Sequence, residues 1–305
     1  MISVVIPVFN EGSPLKGLCD RIQTCLKQIS DQYEIILIDD RSQDNSWEVM
    51  KELAINSTQI KIARLSRNFG QHSALTAGMS LAKGNYIVLM DCDGQDDPMY
   101  INLMFNLLRD SNVQIVYAKR KNRKDKWHKN ISSRIVNFLM EKLSGFKYDP
   151  EIGTYRIMTK TVCEAYLSMP EKNRFIGGMF YWLNFQYRTL PVEHKNRLYG
   201  KSNYTFLKSL KLARLGILSS STKLLSIGIY LGLISSVASI AAAGYYFTLK
   251  LFYDVPIGYT SVIVSIFFVG SIIMLILGII GEYLREIFEE VKARPNFIFE
   301  EKINI

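Results

Sequence analysis

Two aspartates separated by one residue, Asp91 and Asp93, directly follow a short apolar stretch of the sequence. This stretch, Ile87 to Met90, carries no charge and is typical of a β-strand that is buried on both faces of a parallel sheet. Ligands of open α/β sheets bind at the carboxyl ends of the strands, so the pattern places both carboxylates where a ligand would lie. Carboxylate oxygens suit Mg²⁺ or Mn²⁺, and an ion held by only two carboxylates keeps positions free for phosphates.

The same acidic cluster has a second interpretation. Asp96 and Asp97 come just before Pro98, and an Asp followed by a Pro is typical of the start of a helix. In that case one of the two carboxylates caps the helix and the cluster stabilises a turn without binding a ligand. The residues of the cluster alone leave both interpretations open.

Apolar stretches of similar length predict further strands on both sides of this one. They cover residues 2–8, 34–38, 60–65 and 115–118, and segments of helical character such as 73–82 alternate with them. This alternation predicts an α/β fold whose right-handed crossovers bring the loops after the strands to one edge of the sheet. We therefore expect five acids to meet at that edge, namely Glu11, Asp39, Asp40, Asp91 and Asp93.

The charge and the cysteines narrow the class of protein without deciding it. The formal net charge of the 305 residues is +9, and the segment 119–134 carries eight Lys and Arg against one Asp. Such a segment is either a solvated loop or a surface that faces phosphate or anionic lipid. The four cysteines form no Cys-x-x-Cys pair, so we expect a reduced, cytosolic environment without a zinc site or disulfides. The first strand begins directly after Met1, and we expect no signal peptide.

The C-terminal third has the composition of a membrane anchor. Residues 224–249 and 255–281 contain no charge, and each stretch exceeds the roughly 20 residues that cross a bilayer as a helix. The alternative, two buried core helices, needs a larger surrounding protein than this chain supplies. Lys and Arg flank both stretches, which predicts a hairpin of two spans with both termini in the cytoplasm. The segment 204–222 is amphipathic and suits either the membrane surface or ordinary core packing.

These observations predict four consecutive parts of the chain. They are a cytoplasmic α/β domain over residues 1–203, a juxtamembrane amphipathic helix over 204–222, two transmembrane helices within 223–284, and a cytoplasmic tail over 285–305.

Several motifs in this order resemble family 2 glycosyltransferases of the polyprenyl-phosphate type, such as dolichol-phosphate mannose synthases and bactoprenol glucosyltransferases. The matching stretches are Val5-Ile-Pro-Val-Phe-Asn-Glu11, Ile38-Asp-Asp-Arg-Ser-Gln-Asp44, Leu65-Ser-Arg-Asn-Phe-Gly70, Asp91-Cys-Asp-Gly-Gln-Asp96, Arg174-Phe-Ile-Gly177, Gly200-Lys-Ser202 and the two apolar spans. The resemblance extends over nearly the whole chain. It implies the GT-A fold, a Rossmann-like sheet that binds a nucleotide sugar.

The resemblance also implies roles for individual residues. It assigns the nucleotide sugar to Pro7, Phe9, Glu11, Asp39, Asp40, Arg67 and Asp91, and a Mg²⁺ or Mn²⁺ ion to Asp91 and Asp93. The transferred sugar would lie near Gln95 and Asp96, and the catalytic residues would be Asp93, Gln95, Asp96 and Arg156. The acceptor phosphate would meet Arg120, Arg134, Arg197 and Lys201. Many relatives have an acid where this chain has Thr154, so we expect Asp149 or Glu151 to replace that acid near the acceptor.

The activity that the resemblance implies is inverting transfer of one hexose from a nucleotide sugar, UDP-glucose or a related UDP-sugar, to undecaprenyl phosphate. The reaction would occur at the cytoplasmic face of the bacterial inner membrane and supply a lipid-linked sugar for cell-surface glycans. Expected partners are a second copy of the chain, a flippase and a downstream glycosyltransferase, but no nucleic acid. Two alternatives are a membrane enzyme that extends a glycan and a catalytically silent scaffold of an export complex.

Overall fold

The computed structural model describes residues 1–121, 149, 151–172, 174–193, 223–252 and 258–305. The elements follow in the order β1 (Ile2–Val8), α1 (Gly12–Lys27), β2 (Tyr33–Asp39), α2 (Ser46–Asn56), β3 (Ile60–Leu65), α3 (Gln71–Leu81), β4 (Tyr86–Leu89) and α4 (Tyr100–Asp110). They continue with β5 (Ile115–Lys121), β6 (Ile152–Thr159), α5 (Lys160–Ser168), α6 (Ile176–Leu183), β7 (Tyr187–Glu193), α7 (Lys223–Phe252), α8 (Tyr259–Val291) and β8 (Phe299–Ile303).

The strands form one mixed sheet of eight, in the order β7-β5-β6-β4-β1-β2-β3-β8. Strands β1 to β4 are mutually parallel, and β6 and β8 run antiparallel to their neighbours. The chain moves outward from β1 through β2 to β3 and then returns to place β4 on the other side of β1. Such a reversal opens a crevice at the carboxyl ends of the two central strands, which is where α/β sheets bind ligands. The predicted α/β class is confirmed.

Alternate residues of the central strands supply two separate cores, as expected for a sheet that is covered on both faces. In β1, Val4 and Ile6 belong to the core beneath α1, α2 and α4, whereas Val5 belongs to the core beneath α3, α5 and α6. Helix α3 lies especially close to the sheet, because a Cβ atom at Gly78 would collide with the side chain of Val5. The small residues of α3 therefore bring its N-terminus close to the end of β4.

Pro7 occupies a position where its missing N–H costs no sheet hydrogen bond. Its partner in β2 is Ile38, but the pairing of β1 with β4 stops at Val5 and Leu89. The proline therefore lies beyond the last residue of β1 that pairs with β4, where its missing N–H is tolerated.

Helices α7 and α8 form an antiparallel hairpin. Gly228 and Gly232 of α7 face Ile279 and Ile276 of α8, and a Cβ atom at position 232 would lie 3.4 Å from Ile276 Cδ1. Small residues at a spacing of four let two helices approach closely in a membrane. Leu225–Ala242 and Ser265–Val291 are long and apolar enough to cross a bilayer, and almost none of their residues is buried within the protein. This exposure argues against the alternative of two buried core helices.

Helix α8 continues beyond its apolar part into a charged extension. Its 33 residues measure about 50 Å, against about 30 Å of membrane hydrocarbon. The extension contacts the α/β domain, where the Lys172 N–H donates to the Glu290 carboxylate over 2.8 Å. The chain then enters β8, a strand that the predicted tail over residues 285–305 did not include. The amphipathic segment 204–222 and most of the basic run 119–134 lie outside the described residues.

Candidate functional site

The loop after β4 folds around its own carboxylates. Gly94 has a φ of 76°, a conformation that glycine adopts without strain, and the turn there lets the Gln95 N–H donate to Asp93 Oδ1 over 3.0 Å. The Asp91 N–H donates to Asp96 Oδ2 over 3.1 Å. Asp93 and Asp96 are both buried. The local sequence therefore holds three carboxylates in one compact loop at the mouth of the crevice.

Neighbouring elements fix this loop from two sides. Gln71, the first residue of α3, donates from Nε2 to Asp91 Oδ1 over 2.7 Å. From the end of β1, the Glu11 carboxylate accepts a hydrogen bond from the Cys92 thiol over 3.2 Å. The ends of β1 and β4 are thus linked directly, as their shared edge predicted. No pattern in the sequence had pointed to a role for Gln71.

The carboxylates of this loop repel one another. Burial, followed by the charge of Asp93, raises the pKa of Asp91 to about 6. Burial and then the charge of Asp91 raise the pKa of Asp96 to about 7, while Arg120 acts in the opposite direction on both groups. A bound cation would remove this repulsion. The donor set, two close carboxylates with hard oxygens, therefore fits Mg²⁺ or Mn²⁺.

Asp39, the last residue of β2, and Asp40, which follows it, contact β3 and the loops next to it. The Asp40 carboxylate accepts the N–H groups of Phe69 and Gly70 over 2.7 and 2.8 Å, and burial raises its pKa to about 6. Asp39 is fully buried, accepts the Ser42 N–H over 2.9 Å and forms an ion pair with Arg64 at 3.0 Å. These contacts connect the end of β2 with β3 and with the loop after β3.

The other residues expected at the nucleotide lie along the same edge. Phe9 is 44 % exposed at the end of β1, while the exposed Arg67 lies over the ring of Phe69 with 4.6 Å from its guanidinium carbon to the ring centre. Their direct contact with a nucleotide sugar stays a prediction.

Arg156, which was expected to be a catalytic residue, is buried. Its guanidinium lies over the rings of Tyr117 and Phe180, at 5.0 and 4.8 Å, and donates to the backbone carbonyls of Gly153 and Thr154. The buried guanidinium of Arg156 therefore packs behind the site, where it supports the backbone of Gly153 and Thr154. Its catalytic role stays a prediction.

Arg120 is the described member of the group expected at the acceptor phosphate. Its side chain is partly buried, its Nη2 atom lies against Gly153, and its charge acts on Asp91 and Asp96. Arg134, Arg197 and Lys201 lie outside the described residues. The two acids proposed to replace the missing one, Asp149 and Glu151, both pair with Lys119, at 2.9 and 3.3 Å.

His72, which follows Gln71 in α3, is a further titratable residue beside the site. Burial, followed by the charge of Arg156, lowers its pKa to about 4, and its ring meets Phe175 edge-on. It therefore stays neutral at pH 7. In the sequence, only the position of His72 directly after Gln71, in the segment that follows β3, could have pointed to a place near the site.

We expect His72 to make the folded protein less stable in mild acid. Because its pKa is lower in the folded chain than in the unfolded one, its contribution is complete above pH of about 6.5 and is lost as the pH falls towards 4. The loss between pH 7 and pH 5 is about 2 kcal/mol. Thermal unfolding of the full chain in detergent should therefore depend less on pH in His72→Phe, which keeps a ring without titrating. Equal pH dependence in both proteins would contradict this assignment.

Comparison with known proteins agrees with the geometry. Residues 3–167, more than half of the chain, match the family described as glycosyl transferase family 2. An uncharacterized glycosyltransferase from Synechocystis sp. is 35% identical over 300 residues, which cover 97% of this chain and 94% of that protein. The chain therefore belongs to glycosyltransferase family 2, and it is an enzyme of the glycosyltransferase class.

Two further relatives match along nearly their whole length. The prophage bactoprenol glucosyl transferase homolog of Escherichia coli K12 is 32% identical. The match covers 97% of this chain and 97% of that protein. The undecaprenyl-phosphate 4-deoxy-4-formamido-L-arabinose transferase of Proteus mirabilis is 30% identical, covering 100% of this chain and 94% of that protein. Both of these relatives are named as sugar transferases that act with a polyprenyl carrier.

Among solved structures, glucosyl-3-phosphoglycerate synthase from Mycobacterium tuberculosis, in complex with Mn²⁺, UDP and phosphoglyceric acid, is similar with a TM-score of 0.52. The match covers 72% of this chain and 76% of that one at 17% identity, so it bears on the fold alone. The fold is GT-A, as the resemblance implied.

Proposed function

We propose that this enzyme transfers one hexose from a UDP-sugar, such as UDP-glucose, to polyprenyl phosphate at the cytoplasmic face of the membrane. One observation carries the proposal: the acidic crevice between β1 and β4 belongs to the same chain as two exposed apolar helices. A transferase with a soluble acceptor does not need such an anchor. The names of the relatives from Escherichia coli and Proteus mirabilis support the same class of acceptor.

The donor side of the crevice has carboxylates in two groups. Asp39 and Asp40 border the pocket proposed for the base and ribose, together with Glu11 at the end of β1. Asp91 and Asp93 are proposed to hold Mg²⁺ or Mn²⁺, which when bound would stabilise the charge that develops on the diphosphate. The Mn²⁺ in the Mycobacterium tuberculosis enzyme is consistent with this choice of ion. Gln71 would keep Asp91 in place through its 2.7 Å hydrogen bond.

The acceptor side needs positive charge more than it needs a base. A phosphate monoester has a second pKa of about 6, so it is mostly a dianion at neutral pH and one of its oxygens can attack directly. That oxygen forms a bond to the anomeric carbon on the face opposite the diphosphate, and the bond to the diphosphate breaks, which inverts the configuration. Arg120 is proposed to attract the acceptor phosphate towards this point, because its charge already acts at Asp91 and Asp96.

The experiment that tests this function uses membranes containing the full chain. They are incubated with polyprenyl phosphate and radiolabelled UDP- or GDP-sugars, and the lipids are extracted. We expect a lipid that carries one hexose of inverted configuration, formed from a UDP-sugar. Lipids with several sugars would instead support the enzyme that extends a glycan. Absence of transfer from every sugar tested would contradict the proposal.

A second prediction concerns topology. We expect both termini in the cytoplasm and only the link of residues 250–254 outside, because Lys and Arg flank the two spans. The pairing of β8 with β3 supports this orientation, because it places the segment after the second span on the same side of the membrane as the catalytic sheet. A reporter fused after Ile305 should give a cytoplasmic signal. A periplasmic signal there would contradict the topology. The bacterial inner membrane as location, the second copy, the flippase and the downstream transferase stay predictions.

A further inference from the structure

The last strand of the chain completes the edge of the sheet next to the proposed nucleotide pocket. β8 pairs antiparallel with β3, and the Ser66 N–H donates to the Ile298 carbonyl over 2.9 Å. At the other end of the strand, Asn304 donates from Nδ2 to the carbonyls of Ala54 and Ile60 over 2.7 and 3.0 Å. Three of the five residues of β8 are charged, and its two apolar residues, Phe299 and Ile303, pack against the two cores.

Glu300 is the residue of β8 that points towards the loop after β2. Its carboxylate forms an ion pair with Arg41 and lies 3.9 Å from Nε of Arg64. The same Nε atom is 3.0 Å from Oδ2 of Asp39, which is fully buried. A continuous series of charges therefore leads from the last strand to the acid proposed to border the nucleotide.

Arg41 has a backbone conformation that needs support. Its φ of 63° lies in the left-handed region, which residues other than glycine, asparagine and aspartate seldom adopt. It directly follows Asp39 and Asp40, so its conformation sets the course of the loop that leaves both acids at the pocket. Unusual backbone of this kind persists where the surroundings hold it. The ion pair with Glu300 is such a contact, and it comes from a residue far away in the sequence.

We propose that Glu300 is a positioning residue for the donor nucleotide. Through Arg41 and Arg64 it holds the loop after β2 in the conformation that presents Asp39 and Asp40, and it does so without touching the substrate. This inference rests on the proposed function, because it takes the pocket beside these acids to be the nucleotide site. It assigns a role in donor binding to the C-terminal strand, which follows the membrane hairpin by only a few residues.

The test compares two charge reversals on neighbouring residues of β8. Glu300→Lys places a positive charge beside Arg41 and Arg64, whereas Glu301→Lys is the matched control, because Glu301 is exposed and forms no ion pair with the described residues. UDP and GDP are titrated into the detergent-solubilised full chain by calorimetry. We expect the wild-type protein and Glu301→Lys to bind UDP alike, and Glu300→Lys to bind it about tenfold more weakly.

Kinetics and a second variant separate positioning from a general loss of structure. Glu300→Lys should raise KM for the nucleotide sugar by a similar factor, with kcat and the KM for polyprenyl phosphate within about twofold of the wild type. Combining it with Arg41→Glu restores opposite charges and should recover most of the nucleotide affinity. Melting temperatures of all variants are measured in parallel.

The outcomes distinguish the two proposals. If the wild-type chain binds neither UDP nor GDP, the proposed function fails and the role of Glu300 fails with it. If the wild type binds UDP and Glu300→Lys binds it equally well, only the role of Glu300 is wrong. Affinity that is lost in Glu300→Lys but not recovered with Arg41→Glu would also overturn that role.

Discussion

Asp93→Asn is expected to slow sugar transfer by roughly 10²- to 10³-fold, the usual cost of losing one strong electrostatic contact in a transition state. Asp93 is buried at the end of β4 and repels Asp91, as the raised pKa of Asp91 indicates. Replacing it with a neutral amide removes a charged ligand from the proposed divalent ion. The charge that develops on the leaving diphosphate would then be less stabilised, while the turn at Gly94 would remain.

The control for this variant is the neighbouring acid that supports the helix. Asp97 accepts the Met99 N–H over 3.1 Å just before α4 and pairs with Arg21 at 2.7 Å. We therefore expect Asp97→Asn to cost about 1 kcal/mol of stability or less, because an asparagine side chain can still accept the Met99 N–H, and to leave turnover largely intact.

Both variants are assayed for lipid-linked sugar across a titration of Mg²⁺ and Mn²⁺, and their melting temperatures are compared. For Asp93→Asn we expect slow transfer, a higher metal concentration for half-maximal rate and a nearly unchanged melting temperature. If Asp93→Asn still turned over normally in the presence of a chelator, the assignment of a metal to this loop would be wrong, and with it the proposed mechanism.

The parallel part of the fold was predictable because most residues of its strands are apolar. Strands β1 and β3 match the predicted bounds, and β4 differs from its prediction by one residue at each end. Each of these strands is followed by polar residues that mark its end. The common edge of Glu11 and Asp91 followed from the handedness of the crossovers, and the contact of Cys92 with Glu11 agrees with it.

The antiparallel strands were not predicted, for two different reasons. β6 begins with Ile152, Gly153 and Thr154, and it becomes a strand by insertion between β4 and β5, a long-range pairing that local pattern does not reveal. β8 has charged residues at three of its five positions and occupies an edge, where a strand needs no apolar face. Its place depends on contacts with residues more than 200 positions earlier.

The site was predictable at the level of residue types but not of contacts. The sequence identified Asp91 and Asp93 because carboxylates after a buried strand are an unusual local pattern. It gave no indication that Arg156 would lie between two aromatic rings, since the rings come from β5 and α6. The hydrogen bond from Gln71 to Asp91 also depends on the close approach of α3 to the sheet at Gly78.

Replacing Arg120 should affect the acceptor side of the reaction more than the donor side. Its guanidinium lies against Gly153, and its charge lowers the pKa of both Asp91 and Asp96. If Arg120 attracts the lipid phosphate, Arg120→Gln should reduce kcat/KM for polyprenyl phosphate by about 10²-fold. The KM for the nucleotide sugar should stay within about twofold. Arg120→Lys should be intermediate, because lysine keeps the charge but not the paired donors of the guanidinium.

A second effect of Arg120 has to be separated from this one. Without its charge the carboxyl groups of Asp91 and Asp96 would ionise less readily, and a metal ion would then bind more weakly at neutral pH. Both kinetic constants are therefore measured at saturating Mg²⁺ and again at pH 8, with the exposed Arg109→Gln as the control for a general change in charge. We expect the acceptor defect to persist under both conditions. Full recovery with metal or at higher pH would mean that Arg120 serves the carboxylates and that the acceptor phosphate binds elsewhere.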